Sequence, residues 1–274
     1  MSDVRRVGIV GLGHLGIFLS EKLLTNSDAS LVLDFVWNRN PDKVPENLKL
    51  FQITDINELT SRDVQLIVEV AHPCITEQYG EMFLQKADYL IGSPTALADD
   101  QVLQRLLSVS KSSEHGIYVP AGALWGGLDI QKMADQNTLT GLTITMKKHP
   151  SCFKLESPLK EKLNDAETGA VTLYEGSVRG LCPLAPNNVN TMAAAAIAAH
   201  NLGFDKSIAR LVADPNLTDA HIVEVGAEGR DGFRVDSVRR NPSKIGVVTG
   251  KQTYGSFWSS IQRAHGQKSG IHLC

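Results

Sequence analysis

The chain has 274 residues, a length that admits two ordinary domains, or one domain with a large insert, and excludes a small single module. Apolar residues at 42% and charged residues at 21% lie close to the soluble globular average, so the chain can bury a sizeable core and need not be disordered. With 27 lysines and arginines against 30 aspartates and glutamates, the net charge of -3 offers no field for gathering nucleic acid or an anionic membrane.

Four separated cysteines, Cys74, Cys152, Cys182 and Cys274, form no CxxC pair. This argues against a disulfide framework and a zinc site, and for a reducing compartment. The N-terminus has no apolar leader region, and no stretch approaches the roughly 18 apolar residues of a membrane span. A cytoplasmic protein with no metal is expected.

In chain order, Val7 to Val10 is a buried-strand run that breaks at Gly11 into an amphipathic stretch from His14 to Leu24, with Leu15, Phe18, Leu19 and Leu23 on one face. Further strands are expected at Leu31 to Trp37, Gln65 to Val70, Tyr89 to Ile91 and Ile117 to Val119, the last of the first sheet. Helices are expected at Pro73 to Lys86 and Asp99 to Ser112, with Pro73 suited to a first turn. Near-continuous apolar strands spaced by such helices describe an α/β, doubly wound parallel sheet of Rossmann type.

After Gly122 the texture changes. A helix over Ala123 to Asp135 leads to alternating strands at Leu142 to Lys147, Val171 to Tyr174, Ile208 to Ala213, His221 to Gly226 and Phe233 to Val238, with a helix over Asn190 to His200 between the second and third. This half reads as an α+β unit with a mostly antiparallel sheet, Pro158 to Gly169 as a surface loop, and Tyr254 to Ala264 as a final helix returning to the first unit. The expected division is a nucleotide-binding domain over 1–122, with a C-terminal helical segment in 252–274 packing back on it, and a substrate and dimerisation domain over 123–251.

Gly11-Leu12-Gly13-His14-Leu15-Gly16 fits GxGxxG, directly after the first strand and at the opening of the first helix. There Gly11 makes the tight turn, Gly13 lets backbone approach a pyrophosphate, and Gly16 lets helix and strand pack closely, with the anion on the helix N-terminus. His14 is a solvent-facing spacer in this loop, and Leu15 completes it. The second strand ends in Trp37-Asn38-Arg39-Asn40, without the acid that favours ribose hydroxyls; Arg39 is able to pair with a 2′-phosphate, so NADP is preferred to NAD. Strand ends after Val70 and Ile91 lie at the ligand-binding edge of such a sheet, which brings forward His72, Ser93 and the turn at Ala121 to Ala123.

Several later stretches together resemble the L-aspartate dehydrogenase family: Gly92-Ser93-Pro94-Thr95-Ala96-Leu97-Ala98-Asp99, Ala121 through Asp129, Pro186-Asn187-Asn188-Val189-Asn190, and Ala213-Asp214-Pro215 through His221. The resemblance runs over essentially the whole chain. It implies NAD- or NADP-dependent oxidation of L-aspartate at the α-amine to iminosuccinate, which hydrolyses to oxaloacetate and ammonium. It also implies His221 as the catalytic histidine, and Ala123 and Asn190, with Asn188 as neighbour, beside the nicotinamide. Prokaryotic members usually read Thr-Arg-Asn-Thr-His where this chain reads Leu217-Thr218-Asp219-Ala220-His221.

An imidazole titrates near neutrality, so His221 suits the movement of the amine proton. A substrate with two carboxylates calls for cations, and the candidates are Lys147, Lys148 and His149 at one strand end and Arg179 in a family-like stretch. Asp214 and Asp219 are candidates for orienting His221. Two further readings stay open: a dehydrogenase or reductase for another small amino or carboxylic acid, and a non-catalytic NADPH sensor. The expected partners are a small substrate, L-aspartate or oxaloacetate plus ammonium, and further copies of the chain in a homodimer or higher oligomer.

Overall fold

The computed structural model describes residues 4–26, 30–167, 169–248 and 250–274. Strand β1 (Arg5–Val10) leads into helix α1 (His14–Thr25) and β2 (Leu31–Trp37), after which a run of 3-10 turns within residues 41–61 returns the chain to β3 (Leu66–Glu69). Then come α2 (Pro73–Lys86), β4 (Asp88–Ile91), α3 (Asp100–Ser113) and β5 (Gly116–Val119). These strands are parallel, and β3, β4 and β5 are buried along almost their whole length, as their near-continuous apolar runs require.

The rest of the chain gives α4 (Gly127–Asp135), β6 (Leu139–Lys148), the single turn α5 (Leu159–Lys162), β7 (Val171–Ser177) and the single turn α6 (Val178–Leu181). It continues with α7 (Asn190–Ala198), the turn α8 (Gly203–Lys206), β8 (Ile208–Ala213), β9 (Ala220–Gly229), β10 (Arg234–Pro242), α9 (Lys251–Arg263) and β11 (Gly270–Leu273). The second sheet runs β10-β9-β6-β8-β7. It is mixed: β6 and β8 are parallel, and the other neighbours are antiparallel. Ala193 to Ala196 of α7 are all buried, which lets neighbouring elements approach this helix closely.

Three expectations need correction. Ile117 to Val119 is not the last strand of the first sheet, because β11 pairs parallel to β5 and gives the order β11-β5-β4-β3-β1-β2. The C-terminal helix ends at Arg263, so the rest of 252–274 is a turn and that strand. The Pro158 to Gly169 segment carries α5 and a 3-10 turn anchored by buried Leu159 and Ala166; Thr168 lies outside the described residues. No helix among the described residues is long and apolar enough to cross a membrane.

Two sets of contacts join the sheets at the carboxyl edge of the first. Thr95 Oγ1 donates to the Pro186 carbonyl at 3.1 Å. Ser256 of α9 and Arg239 of β10 both donate to the Gly122 carbonyl, at 3.1 and 3.2 Å.

Candidate active site

The glycine loop forms one wall of a groove along the carboxyl edge of the parallel sheet, with the turns after β3 and β4 continuing it. A Cβ on Gly16 would lie 1.9 Å from the Gly11 carbonyl oxygen, whereas one on Gly13 would meet nothing within 4 Å. The loop is therefore closed behind and open in front, at the amides that begin α1, and this shape fits a pyrophosphate. His14 and Leu15 line the groove. Asn38 does its work behind the loop: its Oδ1 accepts from the Leu12 amide at 3.2 Å and its Nδ2 donates to the Asn40 carbonyl at 2.8 Å. Arg39 is exposed beside it at the end of β2.

Ser93 lines the groove after β4, and its position is set by a residue that sequence reasoning missed. Glu69, the last residue of β3, is fully buried. Its carboxylate accepts from the Ala71 amide at 2.6 Å, the Ser93 amide at 2.9 Å and the Ser93 hydroxyl at 3.1 Å. Burial drives this carboxyl up to about 7, against the pull of those hydrogen bonds.

The groove deepens into a cavity between the two sheets, lined by Gly122, Ala123 and Asn190 on one side and by a face of the second sheet on the other. Period-two alternation puts Met146 and Lys148 of β6 and His221 and Val223 of β9 on that face. Asn241 of β10, which pairs directly with His221, joins them. The register aims Lys147 elsewhere, to Glu224 at 2.6 Å. Lys148 is 4% exposed, with its Nζ 3.2 Å from the Val248 carbonyl.

His221 is 6% exposed and its Nε2 is buried without a hydrogen-bond partner. Burial, and then the Lys148 charge, push its imidazole down to about 4, while contact with the Val247 backbone pulls the other way. The ring is thus neutral at ordinary pH, with its Nε2 lone pair unengaged. Burial also pushes Lys148 down to about 8, which leaves it mostly charged at neutrality. A neutral base beside a buried cation suits a substrate that brings both a proton to lose and a carboxylate to bind. Asn190 Oδ1, also buried and unpartnered, lies where groove and cavity meet and offers an acceptor to an amide group.

Several expected residues stand elsewhere. Arg179 is held by Asp205 at 2.6 Å, by Asp100 at 3.0 Å and by the Ala98 carbonyl, away from both groove and cavity; these carboxylates take the charge that a substrate would need. His72 caps α2, its Nδ1 accepting from the Cys74 amide at 3.3 Å, and shares a separate hollow with Arg179. His149 caps a 3-10 turn through Ser151. Asp214 bonds the Asn216 amide and Asp219 bonds Arg240, so neither orients His221. Asn188 borders the cavity but uses both ends of its amide on the 152–154 backbone, at 2.9 and 3.3 Å. Besides Glu69, sequence reasoning missed Lys154, a second cation on the groove, and Asn241.

Residues 129–260 match the family described as "Aspartate dehydrogenase, C-terminal", and residues 11–120 match "Homoserine dehydrogenase, NAD binding domain". The chain is 52% identical over 271 residues to an aspartate dehydrogenase domain-containing protein of Danio rerio, covering 98% of each. It is 31% identical over 218 residues to the L-aspartate dehydrogenase of Methanocaldococcus jannaschii, covering 77% of this chain and 79% of that one. Its fold matches the crystal structure of an aspartate dehydrogenase from Thermotoga maritima with a TM-score of 0.72 at 23% identity, covering 96% of this chain and 97% of the other.

Proposed function

The chain belongs to the aspartate dehydrogenase family, and from that premise we propose that it oxidises L-aspartate at the α-amine, or runs the reverse amination of oxaloacetate, with NAD or NADP. The observation that supports this reading is the pairing of a neutral His221, its Nε2 without a partner, with the buried cation Lys148 in one cavity at the end of the dinucleotide groove.

In this reading the glycine loop and the α1 amides hold the pyrophosphate, and Asn190, Ala123 and Ser93 flank the nicotinamide end. The bound dinucleotide supplies the hydride acceptor. Lys148 binds a substrate carboxylate, and Lys154 at the groove is available for a second anionic group. His221 Nε2 takes the ammonium proton, leaving the amine lone pair to assist departure of hydride from Cα, and returns the proton in the reductive direction. The two sheets close over these groups and limit water at the reacting carbon.

Arg39, exposed after a strand end that carries no acid, supports NADP over NAD. A Michaelis constant clearly lower for NAD would remove that preference. The same proposal assigns 1–122, with 252–274, to the cofactor and 123–251 to substrate and self-association in the cytoplasm. Phe233 and Val235, at the start of the edge strand β10, are half exposed and share a hollow with exposed Trp125, an apolar patch suited to a second copy.

The deciding experiment follows NADPH oxidation with oxaloacetate and ammonium, beside NADPH binding by fluorescence. Turnover supports the dehydrogenase. Turnover only with other oxo-acids identifies a different small-acid substrate, and binding without turnover identifies a sensor.

A further inference from the structure

Glu69 stands apart from Asp34, the other buried acid among the described residues of the first sheet. Asp34, also buried, is neutralised by Arg6 at 2.7 Å and Arg62 at 3.5 Å. Glu69 meets backbone amides and one hydroxyl, and among the described residues no lysine, arginine or histidine side chain pairs with it.

Those amides belong to the two turns that wall the groove at its nicotinamide end. Ala71 follows β3 and Ser93 follows β4, and one carboxylate spans both. Gly92 between them approaches so closely that a Cβ there would lie 2.3 Å from the Glu69 carbonyl oxygen, and its amide donates to that oxygen at 2.8 Å. Once ionised, the carboxylate is an anion fixed immediately behind the groove wall without a counter-ion, in a setting with little water to screen it.

An oxidised nicotinamide ring carries a positive charge and a reduced ring does not. The geometry points to Glu69 as a positioning residue that also biases the site electrostatically: its carboxylate sets the spacing of the two turns and favours the oxidised dinucleotide over the reduced one. This rests on the placement of the nicotinamide ring at the Gly92 and Ser93 edge.

The bias should follow the ionisation of Glu69. The titratable group facing it from β4 is Tyr89, raised well above its ordinary range by burial and tied to Thr76 of α2 at 2.8 Å. His72 of α2 turns its ring to the Cys74 amide, and α9 brings Phe257 against Gly92. Across the cavity, burial holds His221 near 4 and Lys148 near 8, on either side of the carboxyl near 7. A window from about pH 5.5 to about 7.5 spans the carboxyl, and comparison with a variant lacking it separates its part from that of Lys148 and of His14 on the groove.

The test is calorimetric titration of the full chain with NADP+ and NADPH across that window, compared with Glu69→Gln. A 2′-phosphate titration is common to both cofactors and cancels in the ratio of dissociation constants. That ratio should shift toward the oxidised form by roughly three- to tenfold as pH rises, and stay flat in Glu69→Gln near the acidic value of the parent. Should Glu69→Gln fail to fold, Ser93→Ala serves, because losing one donor to the carboxylate moves the midpoint upward. A ratio independent of pH in the parent, or a shift that survives Glu69→Gln, overturns the role of Glu69. Failure of both dinucleotides to bind overturns it together with the ring placement.

Discussion

The two walls of the active cleft are built by different means. The groove along the first sheet is largely backbone: amides at the start of α1, turns after β3 and β4, and glycines, of which Gly16 and Gly92 leave no room for a side chain. The wall from the second sheet is made of side chains, Lys148, His221 and Asn241, whose common direction depends on strand parity and on the register of β6, β9 and β10. A backbone wall is fixed by local chain geometry and recognises a ligand common to many enzymes. A side-chain wall is set residue by residue, and there substrate choice is made.

That contrast breaks most sharply at His221. His221→Ala should lower kcat by about 10²- to 10⁴-fold while the dissociation constant for NADPH stays within twofold, since the histidine serves the side-chain wall alone. A near-normal kcat removes it from the mechanism. Lys148→Met should raise KM for the substrate by about 10- to 100-fold with cofactor affinity little changed, the cost of losing a charged hydrogen bond. The reciprocal change is Gly16→Ala, which forces backbone off the Gly11 carbonyl and should weaken NADPH binding by about tenfold, measured by fluorescence; an unchanged affinity would mean the loop does not hold the pyrophosphate.

The pH profile sharpens the same comparison. His221 must be neutral and Lys148 charged, so kcat/KM should fall at low pH as His221 protonates near 4 and at high pH as Lys148 loses its proton near 8, with the Glu69 carboxyl acting between them near 7. Lys148→Arg should move the alkaline limb upward. In stability the histidine acts in the same sense: its folded value is depressed, so its contribution is present above about 6.5 and lost as pH falls through about 4. The smallest effect belongs to Arg179→Ala, which should leave KM within twofold and lower Tm by a few degrees, because Arg179 links Asp205 and the start of α3 outside the cleft. A large KM change there would return Arg179 to the substrate site.

The difference between the walls also explains what could be read from the sequence. The alternation of β1, α1 and β2 and the glycine loop were legible because backbone geometry imposes a period and a spacing. Lys148 was one of three neighbouring cations, and only the pairing of β6 with β9 separates it from Lys147. Arg179 looked equally suitable until folding brought Asp100 and Asp205 to it from distant positions. Glu69 escaped notice because one acid inside an apolar run gives no periodic signal, and its carboxylate bridges Ala71 and Ser93, in turns far apart in sequence whose closeness only the sheet creates. The four residues of β11 are too few to stand out after a helix.

That short strand bears on how the molecule is made. Five strands of the first sheet lie within residues 5–119, and the edge beside β5 is covered by residues 270–273, far along the chain. The same segment brings the Cys274 carbonyl to the Ala121 amide at 2.8 Å and the Ser260 hydroxyl at 2.9 Å, bracing the turn beside Gly122. The segment after α9 therefore joins the edge of the first sheet to the turn beside Gly122, so that loss of the β11 pairing would loosen the active cleft as well as the sheet.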